Sequence, residues 1–193
     1  MSSWIDRSMP WLGVFPLAVD LANTVVIIGP KSLDLLVGDE DLETWVEAEI
    51  PRWPIVRAAI GHVDEVRRLR ERVRLLLFAA AEGRPLPKDA LKMINGHSSR
   101  AARFPTLDED GSIRIRDKSS DAFTEFCGSV ARSTIEILGG DARSKLGICG
   151  APSCGMLFVA AAPRQTWCSS ACGNRARVAR HAARSRERSS LGA

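Results

Sequence analysis

The sequence predicts a mainly α, α+β fold: a helical amino-terminal domain with one β-hairpin, then a small cysteine-built module closed by a basic helix. Three observations carry this. Apolar residues recur at helical spacing over His62 to Glu82 and Asp121 to Leu138. Four of the five cysteines crowd into residues 149–172. From Ser170 to about Arg188 the chain is dominated by alanine and arginine, with Gly173 its one breaker. A chain of 193 residues, 45% hydrophobic and without tyrosine, can bury a core and leans helical. Two domains are expected, residues 1–142 and 146–189, with the boundary in Gly139 to Lys145. That connection is short, so the second unit is expected to pack against the first.

In chain order, residues 1–10 read as a loose start. Leu17 to Ile28 reads as a buried helix passing into extended chain at the β-branched Val25 to Ile28. Its neighbourhood, Trp11 to Gly29, is apolar, but it holds Pro16, Asp20 and Asn23. A central carboxylate costs about 2.5–3.5 kcal/mol on insertion, so no membrane span is expected. Asp39 to Glu49 opens on acids and places Leu42, Trp45 and Val46 on one face of a short amphipathic helix, which Pro51 and Pro54 end. The helix over His62 to Glu82 carries Val66, Leu69, Val73, Leu76 and Leu77 inward, and Gly83 with Pro85 stops it. Its five arginines (Arg67, Arg68, Arg70, Arg72 and Arg74) alternate with Glu65 and Glu71, the pattern of a salt-bridged, solvated face. Pro87 and Lys88 open another helix. Arg103 to Leu107 and Ser112 to Arg116 flank Asp108-Glu109-Asp110-Gly111 as a hairpin, whose I-R-I-R alternation predicts one buried face. Ser119 or Ser120 is expected to cap the next helix, in which Cys127 is a small buried hydrophobe.

Cys149, Cys154, Cys168 and Cys172 follow C-x4-C, thirteen residues, then C-x3-C. Each pair offers two thiolates from one turn of backbone, and the insert lets the pairs converge, as one tetrahedral Zn2+ requires. Gly150, Pro152 and Gly155 make the first pair a zinc knuckle. Met156 to Val159 is an apolar strand, and Arg164 to Trp167 returns the chain. Cys168 and Cys172 share a helix face, with Ser169 and Ser170 available as caps. The competing reading, two disulfides, fits an oxidising compartment, and nothing signals secretion, so a cytoplasmic chain is expected. A closed four-thiolate cage is structural, which argues against hydrolytic zinc chemistry.

On Cys149, Cys154, Trp167, Cys168 and the run Cys172-Gly173-Asn174-Arg175, the chain resembles the CGNR zinc finger proteins. Asp20 and the Asn23-Thr24 pair resemble elements near the start of the ABATE domain that precedes such fingers. The resemblance implies a bacterial chain, a treble-clef-like zinc finger built on four cysteines, and a stress-induced transcription regulator with a sensor or dimerisation domain. Where the family's insert has a more polar, Arg-rich tip, this chain has Ala160-Ala161-Ala162. Asp20, Asn23 and Thr24 then have two readings. They line a pocket for a small-molecule effector, or they form internal bonds fixing buried helices.

Charge separates the two parts. From Leu146 onward there are seven arginines and one acid, Glu187, whereas the 145 residues before hold 20 bases and 22 acids. Such a basic end suggests a polyanion partner. At 100° per residue Arg177, Arg180, Arg184 and Arg188 fall within about 80° of one another. They are read, with Arg164 of the insert, as contacts to the DNA phosphate backbone. No Asn, Gln or Glu accompanies them for base readout, so specificity would need a homodimer, the insert tip or DNA shape. Arg175 faces the finger and either donates to its backbone carbonyls or screens its thiolates, Gly173 allows close approach, and Asn174 bridges the two halves. The alternative is a protein-interaction finger with no nucleic-acid binding. An enzyme is not expected: there is no Gly-rich phosphate loop, and His62, His97 and His181 are scattered.

Overall fold

The computed structural model describes residues 14–118 and 121–191, without the side chains of 28, 117 and 186–191. Helix α1 (Leu17–Ala22) runs into a hairpin of β1 (Val25–Ile28) and β2 (Lys31–Asp34). After it come α2 (Asp39–Glu49), a 3-10 turn (Pro54–Ala59), α3 (Val63–Ala81) and α4 (Lys88–Arg100). A second hairpin, β3 (Arg103–Leu107) and β4 (Ile113–Asp117), leads to α5 (Ala122–Gly139). A 3-10 turn (Asp141–Lys145), the hairpin β5 (Leu146–Ile148) and β6 (Leu157–Val159), and α6 (Ser170–Leu191) follow. Each of these sheets is a two-stranded antiparallel ribbon. Among the described residues, no helix is long and apolar enough to cross a membrane.

The periodic segments fold as their periodicity requires. In α3, Val66, Leu69, Val73, Leu76 and Leu77 are buried. In α5 the buried face runs from Phe126 and Cys127 through Val130 and Thr134 to Ile137 and Leu138. Trp45 of α2, fully buried, meets Phe126 edge-on at 6.4 Å. The end of α4 crosses α5 so closely that a Cβ on Gly128 would lie 2.1 Å from the Ala101 Cβ. Burial pushes the Cys127 thiol up to about 12, as suits a core residue. The cap of α5 is Asp121, whose carboxylate accepts from the Phe123 and Thr124 amides at 3.3 and 2.9 Å. The expected caps, Ser119 and Ser120, lie outside the described residues.

Three expectations need correction. The first concerns the amino-terminal hairpins, of which the described residues hold two. Gly29, at φ +59°, and Pro30 make a two-residue turn joining β1 to β2. Lys31 to Leu33 are exposed and Asp34 only half-buried, so β2 shows no apolar period to read.

The second concerns the arginines of α3, which do not form a uniformly solvated face. Arg70 is 2% exposed and grips Asp34 through two bonds of 2.6 Å, with Thr24 Oγ1 at 3.2 Å. Arg74 donates to the carbonyls of Ala22 and Val25 at 2.7 and 3.2 Å. These two guanidiniums fasten the first hairpin to α3, a bidentate geometry lysine could not reproduce. Burial by itself would raise the Asp34 pKa, but bonds from Arg70 and Leu36 and the charges of Arg70 and Arg67 hold it below the usual value.

The third concerns β3–β4, whose apolar face is not buried. Leu107 and Ile113 are each 73% exposed and Ile115 59%.

The chain has one continuous core. Leu17, Leu21, Trp45, Val73 and Phe126 belong to the same buried cluster as Cys149, Leu157, Phe158, Cys172 and Ala176. Asn23 makes the joint. Its Nδ2 donates to the Leu157 carbonyl at 2.9 Å, and its Oδ1 accepts from the Leu157 amide at 3.0 Å. Ladder bonds join Cys149 to Met156 at one end of the ribbon and Lys145 to Ala160 at the other, so by alternation Leu157 turns its own amide and carbonyl to the free edge of β6. There the Asn23 carboxamide occupies the place of a third strand.

Candidate metal centre and basic cleft

The first cysteine pair sits in the loop of the β5–β6 hairpin. Cys149 donates its amide to the Met156 carbonyl and Cys154 to that of Ala151, both at 2.9 Å. Ser153 takes φ +59° to close the turn. Gly155 is required where it stands: a Cβ there would come within 2.8 Å of the Ile27 Cβ, because β1 packs directly on the knuckle. The second pair is presented by the start of α6. Ser169 caps that helix, its Oγ accepting from the Cys172 amide at 3.2 Å.

The four thiol sulfurs lie within 4.8 Å of one another, with Cys154 to Cys168 at 3.9 Å and Cys168 to Cys172 at 3.4 Å. Four sulfurs about 2.3 Å from a tetrahedral Zn2+ sit about 3.8 Å apart, so this donor set fits one zinc ion with no place for a fifth ligand. Crowding sets the thiols against one another. The hydrogen bond it shares with Cys168 draws Cys154 down to about 5, while the same bond holds Cys168 well above its ordinary value. Cys149 is raised chiefly by burial. A divalent cation supplies the charge that lets all four be thiolates. Arg175 assists, its guanidinium donating to the Cys172 sulfur at 3.1 Å.

Trp167 does what the sequence reading assigned to Asn174. Its ring lies against Gly173, where a Cβ would stand 3.1 Å away, and near Gly150, where the distance would be 3.7 Å. One indole therefore spans both halves of the finger. Asn174 is exposed and accepts from Arg177 at 2.5 Å.

Between the insert and the start of α6 lies a cleft of about 430 Å³, lined by Arg164, Arg177 and Arg180 with Thr166, Ser169 and Ser170. All three arginines are exposed, as is Arg184 farther along the helix. The Arg188 side chain lies outside the described residues. Among the described residues, none of Arg164, Arg177, Arg180 and Arg184 is paired with a carboxylate, whereas Arg67, Arg68, Arg70 and Arg74 of α3 all are. Gln165 shapes the insert, accepting from the Ala161 amide at 2.9 Å and donating to the Trp167 carbonyl at 3.0 Å. No sequence signal pointed to that role.

Asp20, Asn23 and Thr24 are buried and engaged by the protein itself. Asp20 accepts from the Phe15 amide at 3.3 Å and pairs with Arg52 at 3.4 Å, and Thr24 donates to the Leu21 carbonyl at 2.7 Å. Their internal bonds, rather than a pocket, account for these polar groups. A cleft of about 740 Å³, which Asp20, Asn23 and Thr24 do not line, opens where Trp53 and Arg52, the partner of Asp20, face Glu125 and Arg132 of α5.

Comparison with known proteins divides the chain in the same place as its change of charge. The ABATE model, described as "putative stress-induced transcription regulator", matches residues 16–141, and the CGNR zinc finger model matches residues 145–185. No curated protein matches the chain.

Proposed function

We propose, for a chain that belongs to the ABATE family and carries a CGNR zinc finger, that it regulates transcription by gripping the DNA backbone with the cleft beside its metal centre. The observation that carries this reading is the set of arginines without carboxylate partners around the amino end of α6. Such guanidiniums remain available to phosphate, and a helix amino end with capping hydroxyls favours the same charge. Zinc is structural here: it brings the insert arginine, Arg164, next to Arg177 and Arg180. Arg184 extends the basic surface along the helix. The contacts are to phosphate: Gln165 of the cleft is engaged with the Ala161 amide and the Trp167 carbonyl, and Asn174 with Arg177.

Duplex binding measured against salt tests the reading. With the full chain, log affinity is expected to fall with log salt at a slope of about −3 to −5, and changing Arg177, Arg180 and Arg184 to alanine to reduce that slope by about 2–3. Weak binding that ignores salt and the three substitutions would leave the finger as a protein-docking module instead.

A further inference from the structure

One face of α5 forms a polar side of the cleft of about 740 Å³: Glu125, Ser129, Arg132, Ser133 and Glu136 fall on it at helical spacing. Pro16 and Leu17 at the start of α1, with Trp53, Pro54 and Ile55, line it with apolar surface. Arg52 lies over the Trp53 ring, 5.6 Å from its centre, and steadies the indole there. A cleft of this volume with both kinds of lining suits an amphipathic small molecule.

The charged groups of the cleft differ in how far the protein satisfies them. Arg132 donates to the Ala101 carbonyl at 2.7 Å and to Ser129 Oγ at 3.0 Å. Arg52 donates to the Phe15 carbonyl at 2.8 Å and pairs with Asp20 at 3.4 Å, and Arg103 is partnered as well. Glu125 has far less. It is 8% exposed, and both carboxylate oxygens are buried without a hydrogen bond. The Arg132 guanidinium stands off at 3.8 Å, outside hydrogen-bond reach. A buried carboxylate left in this state is costly, and it calls for a donor that the fold does not supply.

We propose that the cleft binds a small primary ammonium with an apolar body, the ammonium on Glu125 and the body against Leu17, Trp53 and Ile55. The unmet demand is for N–H donors, since the guanidiniums already have acceptors and the carboxylate has no donor. That balance selects a cation even though three arginines line the cleft. Glu125 meets the ligand by a turn of its own side chain into the cleft, where an ammonium gives it charge-assisted bonds. The Trp53 Nε1, also buried and without an acceptor, is a donor for any acceptor on the ligand body. Glu136 is exposed and lies about 16 Å farther along the helix, too far to share the same ammonium.

Calorimetric titration of the full zinc-loaded chain with phenethylamine tests this. Saturable one-to-one binding is expected, with a dissociation constant of about 0.1–1 mM. 3-Phenylpropionate, the same ring and chain with the opposite charge, should bind at least about tenfold more weakly. Glu125→Gln keeps the side-chain shape and should weaken phenethylamine about tenfold or more, whereas Glu136→Gln should change it less than about twofold. Circular dichroism and zinc content confirm that each variant is folded. Should Glu125→Gln not fold, Ile55→Trp, which fills the apolar part of the cleft, is expected to abolish binding. Absence of saturable phenethylamine binding up to about 10 mM overturns the proposal. So does tighter binding of 3-phenylpropionate, a folded Glu125→Gln chain that binds phenethylamine like wild type, or an Ile55→Trp chain that does so.

Discussion

Replacing Asn23 with alanine removes both bonds to Leu157 while leaving its amide and carbonyl buried; Asn23 is 1% exposed and Leu157 0%. An orphaned buried backbone group costs about 1–3 kcal/mol, so losing both partners costs about 3 kcal/mol, a large share of a typical domain's stability. At this chain length the melting temperature should fall by about 6–12 °C. Thermal and urea unfolding of the zinc-loaded protein measure the loss. Asn23→Asp is the sharper control. Its carboxylate still accepts from the Leu157 amide, but turns a second acceptor towards the carbonyl, so it should recover little of the loss. A cost below about 1 kcal/mol for Asn23→Ala, or full recovery with Asp, would refute the reading of Asn23 as a substitute strand.

The remaining predictions concern the metal, the hairpin clamp and the contact between β1 and the knuckle. One zinc per chain is expected by metal analysis; Cys168→Ser should release it, and chelation should unfold the finger together with its packing on the body. Asp34 has a lowered pKa in the folded chain, so its contribution is complete above the unfolded value near 3.9 and is lost as pH falls through the folded value. Unfolding midpoints should therefore drop below about pH 4, and Asp34→Asn should lower stability at neutral pH while flattening that acid limb. Gly155→Val drives a side chain into Ile27 and should cost about 1–3 kcal/mol. Ile27→Ala in the same chain should recover part of that cost, which denaturation of the double mutant would show.

The parts legible in the sequence are those whose partners are close in the chain. The cysteine pairs, the glycine that stops α3 and the serine that caps α6 act within a few residues of themselves. Arg70 could not be read this way: among arginines and glutamates it looks like solvated surface, and only the fold delivers Asp34 to it. The role of Asn23 was similarly hidden, since Leu157 lies 134 residues away. Trp167 and Asn174 sit close together in the finger, yet sequence spacing could not say which would lie across both glycines. The alternation in β4 was read correctly as a strand and wrongly as a buried one, because periodicity reports a face and not what covers it.

The shared core has a practical consequence for exchanging parts between proteins of this architecture. The boundary between the two matched families is a border in sequence, while β6 and the start of α6 are wall as well as finger. A finger moved onto another body would need a carboxamide waiting at the free edge of β6 and a cavity shaped for Leu157, Phe158 and Ala176. Recombination at the short turn before β5 should therefore succeed only between chains that keep these matching surfaces.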